Sequence, residues 1–159
     1  MCGFITSISY LNNTENSLHV ANAGNEFLAH RGPDSTGEYH ETHIRMWFCR
    51  LSIIDVSEAG HQPMHSKCGR YVMVFNGEIY NFQALADQFN LSELKSQSDT
   101  EVLLSLFVIL GKEILDHIRG MYSFIIYDRL EKTVFGARDQ FGKKPLYYAT
   151  IDDQLVLAS

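Results

Sequence analysis

Positive charge is scarce in this chain. Its 13 Lys and Arg face 19 Asp and Glu, a net charge of −6 with no basic cluster. That balance argues against nucleic acid and anionic membrane surfaces as partners. Long apolar runs are missing too, and nothing approaches the roughly 20 residues that span a bilayer. The opening stretch, interrupted by Thr6, Ser7 and Ser9, lacks the positive start and unbroken apolar core of a secretory signal. Cysteine is sparse, and Cys2, Cys49 and Cys68 cannot all pair internally. A chain of 159 residues with 45% hydrophobic content builds an ordinary core without disulfide staples. A reducing cytoplasm is the expected location. No internal repeat, low-complexity segment or linker divides the sequence, so one domain over residues 1–159 is expected.

The 7 histidines raise the question of a metal site. His40 and His43 are three apart, not the four apart of a zinc-protease helix. His61, His65 and Cys68 sit in a polar loop with no second cysteine pair to close a site. Solvated loop histidines and no metal are the expectation.

Hydrophobic periodicity supplies the elements. Gly3 to Tyr10 predicts a strand beginning directly after Cys2. Glu15 to His30 has loose helical spacing weakened by Gly24, and Pro33 ends it. Ile44 to Ile54 predicts one or two strands, with Arg50 embedded, and Glu58 to Gly69 predicts a loop. Arg70 to Phe75 is a continuous apolar strand suited to burial on both faces. Asn81 to Phe89 predicts a short helix, and Ser98 to Glu101 is a capping-box pattern opening a second. A third is expected over Lys112 to Arg119, closed by Gly120. Strands follow at Tyr122 to Tyr127, Thr133 to Ala137, Leu146 to Ala149 and Leu155 to Ala158. Strands at both ends with helices between them imply an α+β fold, helices packed on layered, mainly antiparallel sheet.

Four polar features stand out, each with two readings. Cys2 follows the initiator Met1. If Met1 is removed, the thiol becomes a nucleophile with its own α-amine, of pKa about 7.7–8.0, as the adjacent base; otherwise Cys2 is an accident of sequence. Asn76-Gly77 is the favoured pair of a two-residue hairpin turn. It also sets an amide beside a backbone N–H, two donors for a developing oxyanion worth about 2.7–4 kcal/mol each. Arg50 in an apolar run needs a counter-charge. Asp55 or Glu58 supplies it structurally, or a substrate carboxylate does so through a bidentate fork. Asp99 fits the first turn of its helix, where an acid complements the dipole, or faces a substrate ammonium.

These features recur together as motifs in order: Met1-Cys2-Gly3, His30 to Asp34, Arg50 to Asp55, Asn76 to Asn81, Ser98 to Glu101, Gly120 to Phe124 and Arg138 to Tyr148. In this order they resemble the class II, N-terminal-nucleophile glutamine amidotransferase domain of the asparagine synthetase family. The resemblance implies a four-layered α/β/β/α sandwich of mainly antiparallel sheets, the N-terminal nucleophile hydrolase fold. It implies Cys2 as nucleophile on the side-chain amide of L-glutamine, and Asn76 and Gly77 as the oxyanion hole. Arg50 would grip the α-carboxylate with backbone near Ile53 lining the pocket, while Glu78 and Asp99 hold the α-ammonium. Such a grip argues against another N-terminal-nucleophile hydrolase acting on penicillin- or bile-salt-type amides. No cofactor is implied in this domain. The family continues past the position of Ser159 into a synthetase domain, where ATP, magnesium and an acceptor such as aspartate or another carboxylate would belong. That domain is the implied partner, and a homodimer is compatible with it. The competing reading is a non-catalytic module that senses glutamine or docks a partner.

Overall fold

A computed structural model describes residues 2–10, 18–51 and 58–159. The chain is built on antiparallel strands in two sheets. β1 (Gly3–Ser9), β2 (Ser35–Glu41), β3 (Ile44–Arg50), β8 (Tyr147–Ile151) and β9 (Gln154–Ala158) form a five-stranded sheet A in the order β2-β3-β1-β9-β8. β4 (Met64–His65), β5 (Tyr71–Ile79), β6 (Gly120–Asp128) and β7 (Thr133–Arg138) form a four-stranded sheet B in the order β4-β5-β6-β7. Three α-helices lie among the described residues: α1 (Leu18–Phe27), α2 (Phe82–Gln88) and α3 (Asp99–Leu110). The α+β class with antiparallel sheets is as the element order implied.

Side-chain alternation assigns the faces. Phe4, Met46 and Phe48 of sheet A meet Val72, Val74, Ile125 and Tyr127 of sheet B, so one core lies in the seam between the sheets. The intervening residues Met73, Phe75, Phe124 and Ile126 turn the other way and pack with Leu85 of α2 and Leu103, Leu104 and Phe107 of α3. This is the burial on both faces that the apolar run of β5 predicts. α1 packs on β3 and β1. Gly24, which weakened the helical pattern, is what permits that contact, because a Cβ there would strike the buried Trp47 ring.

Several boundaries differ from the sequence reading. β5 does not stop at Phe75 but continues through Asn76-Gly77-Glu78-Ile79, paired with Gly120 to Ser123 of β6. Asn76-Gly77 is therefore strand, not a turn. Gly120 opens β6, and the third helix shortens to a 3-10 segment, Gly111–Asp116. The loop from Glu58 to Gly69 contains the two-residue β4. β2 gave no signal because it is a polar edge strand whose only large apolar residue is Tyr39. The helix over Glu15 to His30 is α1 followed by a 3-10 turn, Ala29–Arg31, with residues 11–17 outside the described residues. Residues 52–57, the end of the strand expected over Ile44 to Ile54, also lie outside them. The capping box is half formed: Ser98 Oγ accepts from the Glu101 N–H at 3.2 Å. The Glu101 carboxylate reaches past Ser98 to the N–H groups of Lys95 and Ser96, fixing the loop before α3.

Candidate functional site

The inter-sheet seam is apolar along most of its length and turns polar at one end. Asn76 on β5, 1% exposed, and its β6 neighbour Ser123 enter it from sheet B. Thr6 and Cys2 enter from β1, on the same side as Phe4. Asn76 Nδ2 donates to Ser159 Oγ at 2.9 Å. Ser159 in turn exchanges two backbone hydrogen bonds with Phe4, at 3.3 and 3.1 Å. Asn76 is thus tied to β1 two residues from Cys2. An amide nitrogen carries two protons, so Ser159 orients the group and leaves one N–H for another acceptor.

Gly77 presents a second donor. The even-numbered residues of β5 bond toward β6, as when Tyr80 N–H donates to Arg119 O at 2.7 Å. The odd-numbered N–H groups therefore point to the opposite edge. Tyr71 donates to Ser66 Oγ, Phe75 to Gln62 Oε1 and Ile79 to Asp99 Oδ2. The Gly77 N–H, between the last two, meets no acceptor among the described residues. A side chain there would strike the Met121 carbonyl and Tyr122 Cα. The position accepts only glycine without local rearrangement.

Cys2 lies across from the end of β3. Its half-buried thiol is 3.4 Å from the Leu51 N and 3.6 Å from the Leu51 carbonyl oxygen, directly after Arg50. Arg50 is buried where β3 meets the Pro33-Asp34 turn, its carbonyl accepting from the Asp34 N–H at 3.1 Å. Asp99 is buried at the start of α3, and its carboxylate accepts from Ile79 N–H at 2.9 Å, two residues beyond Gly77. Burial pushes the Asp99 carboxyl above its usual range and the Glu78 charge adds to that, against the pull of the Ile79 and Thr100 N–H groups. Glu78 itself is exposed at the rim. Cys2, Arg50, Asn76 and Glu78 thus stand on the seam side of their strands by alternation, with Gly77 between the last two, while Asp99, at the start of α3, reaches the edge of β5 at Ile79. Ile53 and Asp55 lie outside the described residues.

Sequence reasoning missed Ser159 and Lys144. Ser159 followed an ordinary strand pattern, and only pairing across the seam gives it a role. Lys144 was quoted within a motif but given none. It is buried, and desolvation together with the Arg31 charge lowers its pKa, opposed by Cys2, Glu78 and Asp139. Asp139 shapes this loop by accepting from the N–H groups of Tyr122, Phe141, Lys143 and Lys144. The histidines are not all solvated loop residues. His65 lies on β4 edge-on to Tyr39, with ring centroids 5.4 Å apart. His43 packs on Tyr127, its Nε2 2.9 Å from the phenol oxygen. Cys2, Cys49 and Cys68 are all free thiols.

Fold and site define an α+β domain of antiparallel sheets with a thiol and a buried amide toward one end of its inter-sheet seam. The family model of the glutamine amidotransferase domain matches residues 1–159, and the chain belongs to that family. It is 41% identical to asparagine synthetase (glutamine-hydrolyzing) 1 of Bacillus subtilis (strain 168) over 163 residues, covering 100% of this chain and 26% of that protein. It is 34% identical to asparagine synthetase (glutamine-hydrolyzing) 2 of the same organism, covering 100% of this chain and 21% of the relative. Amidase chry2 of Gibberella zeae is 35% identical over 140 residues, covering 84% of this chain and 20% of the relative. The chain spans about a quarter or less of the length of these curated relatives, at their N-terminal part.

Proposed function

We propose that this chain is the glutaminase half of an asparagine-synthetase-like amidotransferase. It hydrolyses L-glutamine to glutamate and ammonia through a Cys2 thioester. The observation that supports this reading is the tie from Asn76 through Ser159 to β1, the strand that follows Cys2, beside a Gly77 N–H that meets no acceptor among the described residues. α1 on sheet A and α2 and α3 on sheet B support the four-layered N-terminal nucleophile hydrolase fold.

The chemistry then follows. Removal of Met1 frees the α-amine of Cys2, which takes the thiol proton, directly or through a water. The thiolate adds to the side-chain amide carbon of glutamine. Asn76 Nδ2 and Gly77 N–H hold the resulting oxyanion, a donor pair of the kind worth about 2.7–4 kcal/mol per member. The tetrahedral adduct collapses as the ammonium passes its proton to the leaving nitrogen, releasing ammonia. Water then cleaves the γ-glutamyl thioester and frees glutamate and the thiol. Arg50 grips the α-carboxylate, with Ile53 backbone beside it, while Asp99 and Glu78 hold the α-ammonium. Ammonia passes to an ATP- and magnesium-dependent synthetase domain of the same full-length chain, which amidates aspartate or another carboxylate.

The test uses full-length protein whose intact mass shows Met1 removed. Glutamate and ammonia should be released from glutamine, Cys2→Ala should abolish this, and a glutamine-mimicking electrophile should add once, at Cys2. A processed, folded protein with neither turnover nor labelling overturns the proposal.

A further inference from the structure

Two hydroxyls in the seam, Thr6 Oγ1 and Ser123 Oγ, meet no hydrogen-bond partner among the described residues, and both residues are fully buried. A buried hydroxyl without a partner is costly, and native folds rarely leave one so. Their surroundings differ. Thr6 has the apolar Met46 and Leu157 in register beside it, and Phe4 and Ile8 on either side along its own strand. Ser123 is in register with Asn76.

Directly opposed residues of an antiparallel pair share one face, with Cβ atoms about 4.5–5.5 Å apart. On the seam face the nearest neighbours of Ser123 within sheet B are therefore Asn76 on β5, Arg138 on β7, and Met121 and Ile125 on β6 itself. Ile125 has no polar atom, Met121 offers only a weakly accepting thioether, and the Arg138 guanidinium only donates. The side-chain carbonyl of Asn76 is the one strong acceptor among them. Asn76 Nδ2 already donates to Ser159 Oγ at 2.9 Å, so Ser159 holds the nitrogen end of the amide. An amide held at one end still turns about that bond. Held at both ends, its plane is fixed.

We propose that Ser123 is a positioning residue: its hydroxyl donates to Asn76 Oδ1, directly or across one enclosed water, and sets the plane of the amide whose remaining N–H faces the oxyanion. This rests on the reading of Asn76 as an oxyanion donor. Ser123 touches no reacting atom, and its whole effect passes through Asn76. A donor held in place for charge that develops only in the transition state acts on kcat and leaves KM alone.

The test is a double-mutant cycle in full-length protein with Met1 removed. Ser123→Ala should lower kcat for glutamine hydrolysis about 2- to 10-fold, the range of one ordinary hydrogen bond, with KM unchanged within about twofold. In an Asn76→Ala background the same substitution should change kcat by less than about 1.5-fold, because the group it acts through is gone. A Ser123→Ala protein that melts earlier but keeps its kcat overturns the proposal. An equal fall in both backgrounds, or a rise in KM at constant kcat, also overturns it. The bond itself is read without turnover. A crystal structure of the wild type at atomic resolution should place Ser123 Oγ within about 3.2 Å of Asn76 Oδ1, or of one water shared with it. A Ser123 hydroxyl bonded instead to Ser159 or to a main-chain carbonyl overturns the proposal. A wild type with the expected bond and no glutamine hydrolysis would count against the catalytic reading alone.

Discussion

Asn76 on sheet B and Ser159 at the end of β9 in sheet A are joined at 2.9 Å across the seam. The bond couples the orientation of a buried amide to the strand that begins beside Cys2. Its consequences for rate can be separated into two sizes. If Asn76 is an oxyanion donor as proposed, Asn76→Ala should lower kcat for glutamine hydrolysis about 10²–10³-fold. Ser159→Ala keeps the Asn76 amide and removes only the hydroxyl it donates to. Loss of one ordinary hydrogen bond, about 0.5–1.5 kcal/mol, corresponds to a fall of about 2- to 10-fold. Steady-state kinetics on both variants checks this ranking, and equal losses would contradict it.

At the other end of the seam, Glu41 ties β2 to sheet B. Its carboxylate accepts from Tyr39, Tyr127, Arg129 and Lys132. Burial opposes its ionisation, but these four donors outweigh burial and hold it well below its ordinary value of 4.5. Burial first, then the hydrogen bond to Glu41 and its charge, push the Tyr39 phenol up to about 12 against the pull of Arg129. A carboxylate with a depressed folded pKa contributes stability above its unfolded pKa and loses it as pH falls through the folded one. Glu41→Gln should therefore cost about 1–3 kcal/mol near pH 7, the scale of a buried hydrogen-bonded charge. The gap to wild type should narrow below about pH 4.5. Urea unfolding of both proteins at pH 7 and pH 3.5 measures it, and a pH-independent gap would exclude the ionised role.

Much of this arrangement was legible in residue order. β5 announced itself because Val72 to Phe75 are apolar on both faces, and α3 because Ser98 caps it. The continuation of β5 through Asn76 and Gly77 was not legible, since that pair locally favours a turn. Nine residues of antiparallel pairing with β6, distant in sequence, override the preference. β2 escaped because Ser35–Glu41 is polar apart from Gly37 and Tyr39 and so carries no apolar alternation. Cys2, Arg50, Asn76, Gly77, Glu78 and Asp99 could be named from motifs. Ser159 could not, because its role exists only when β9 lies against β1.

Asp99 offers the sharpest separation of structure from function. Its carboxylate is buried against the Ile79 N–H, and burial, with Glu78 nearby, raises its pKa above the ordinary 3.8. For an acid so shifted, the favourable contribution is present below the unfolded pKa and is lost as pH rises through the folded one. Ionised Asp99 is thus a cost to the fold at neutral pH. Asp99→Asn keeps an oxygen to accept from Ile79 and removes the charge. Its stability at pH 7 should equal or exceed that of wild type, with any advantage fading toward pH 4. If Asp99 holds the α-ammonium of glutamine, the same variant loses a charged hydrogen bond of about 1.5–3 kcal/mol, so KM should rise about 10- to 100-fold. Thermal melts across pH paired with glutaminase kinetics read both effects. A destabilised variant with unchanged KM would make Asp99 a helix-start residue and nothing more.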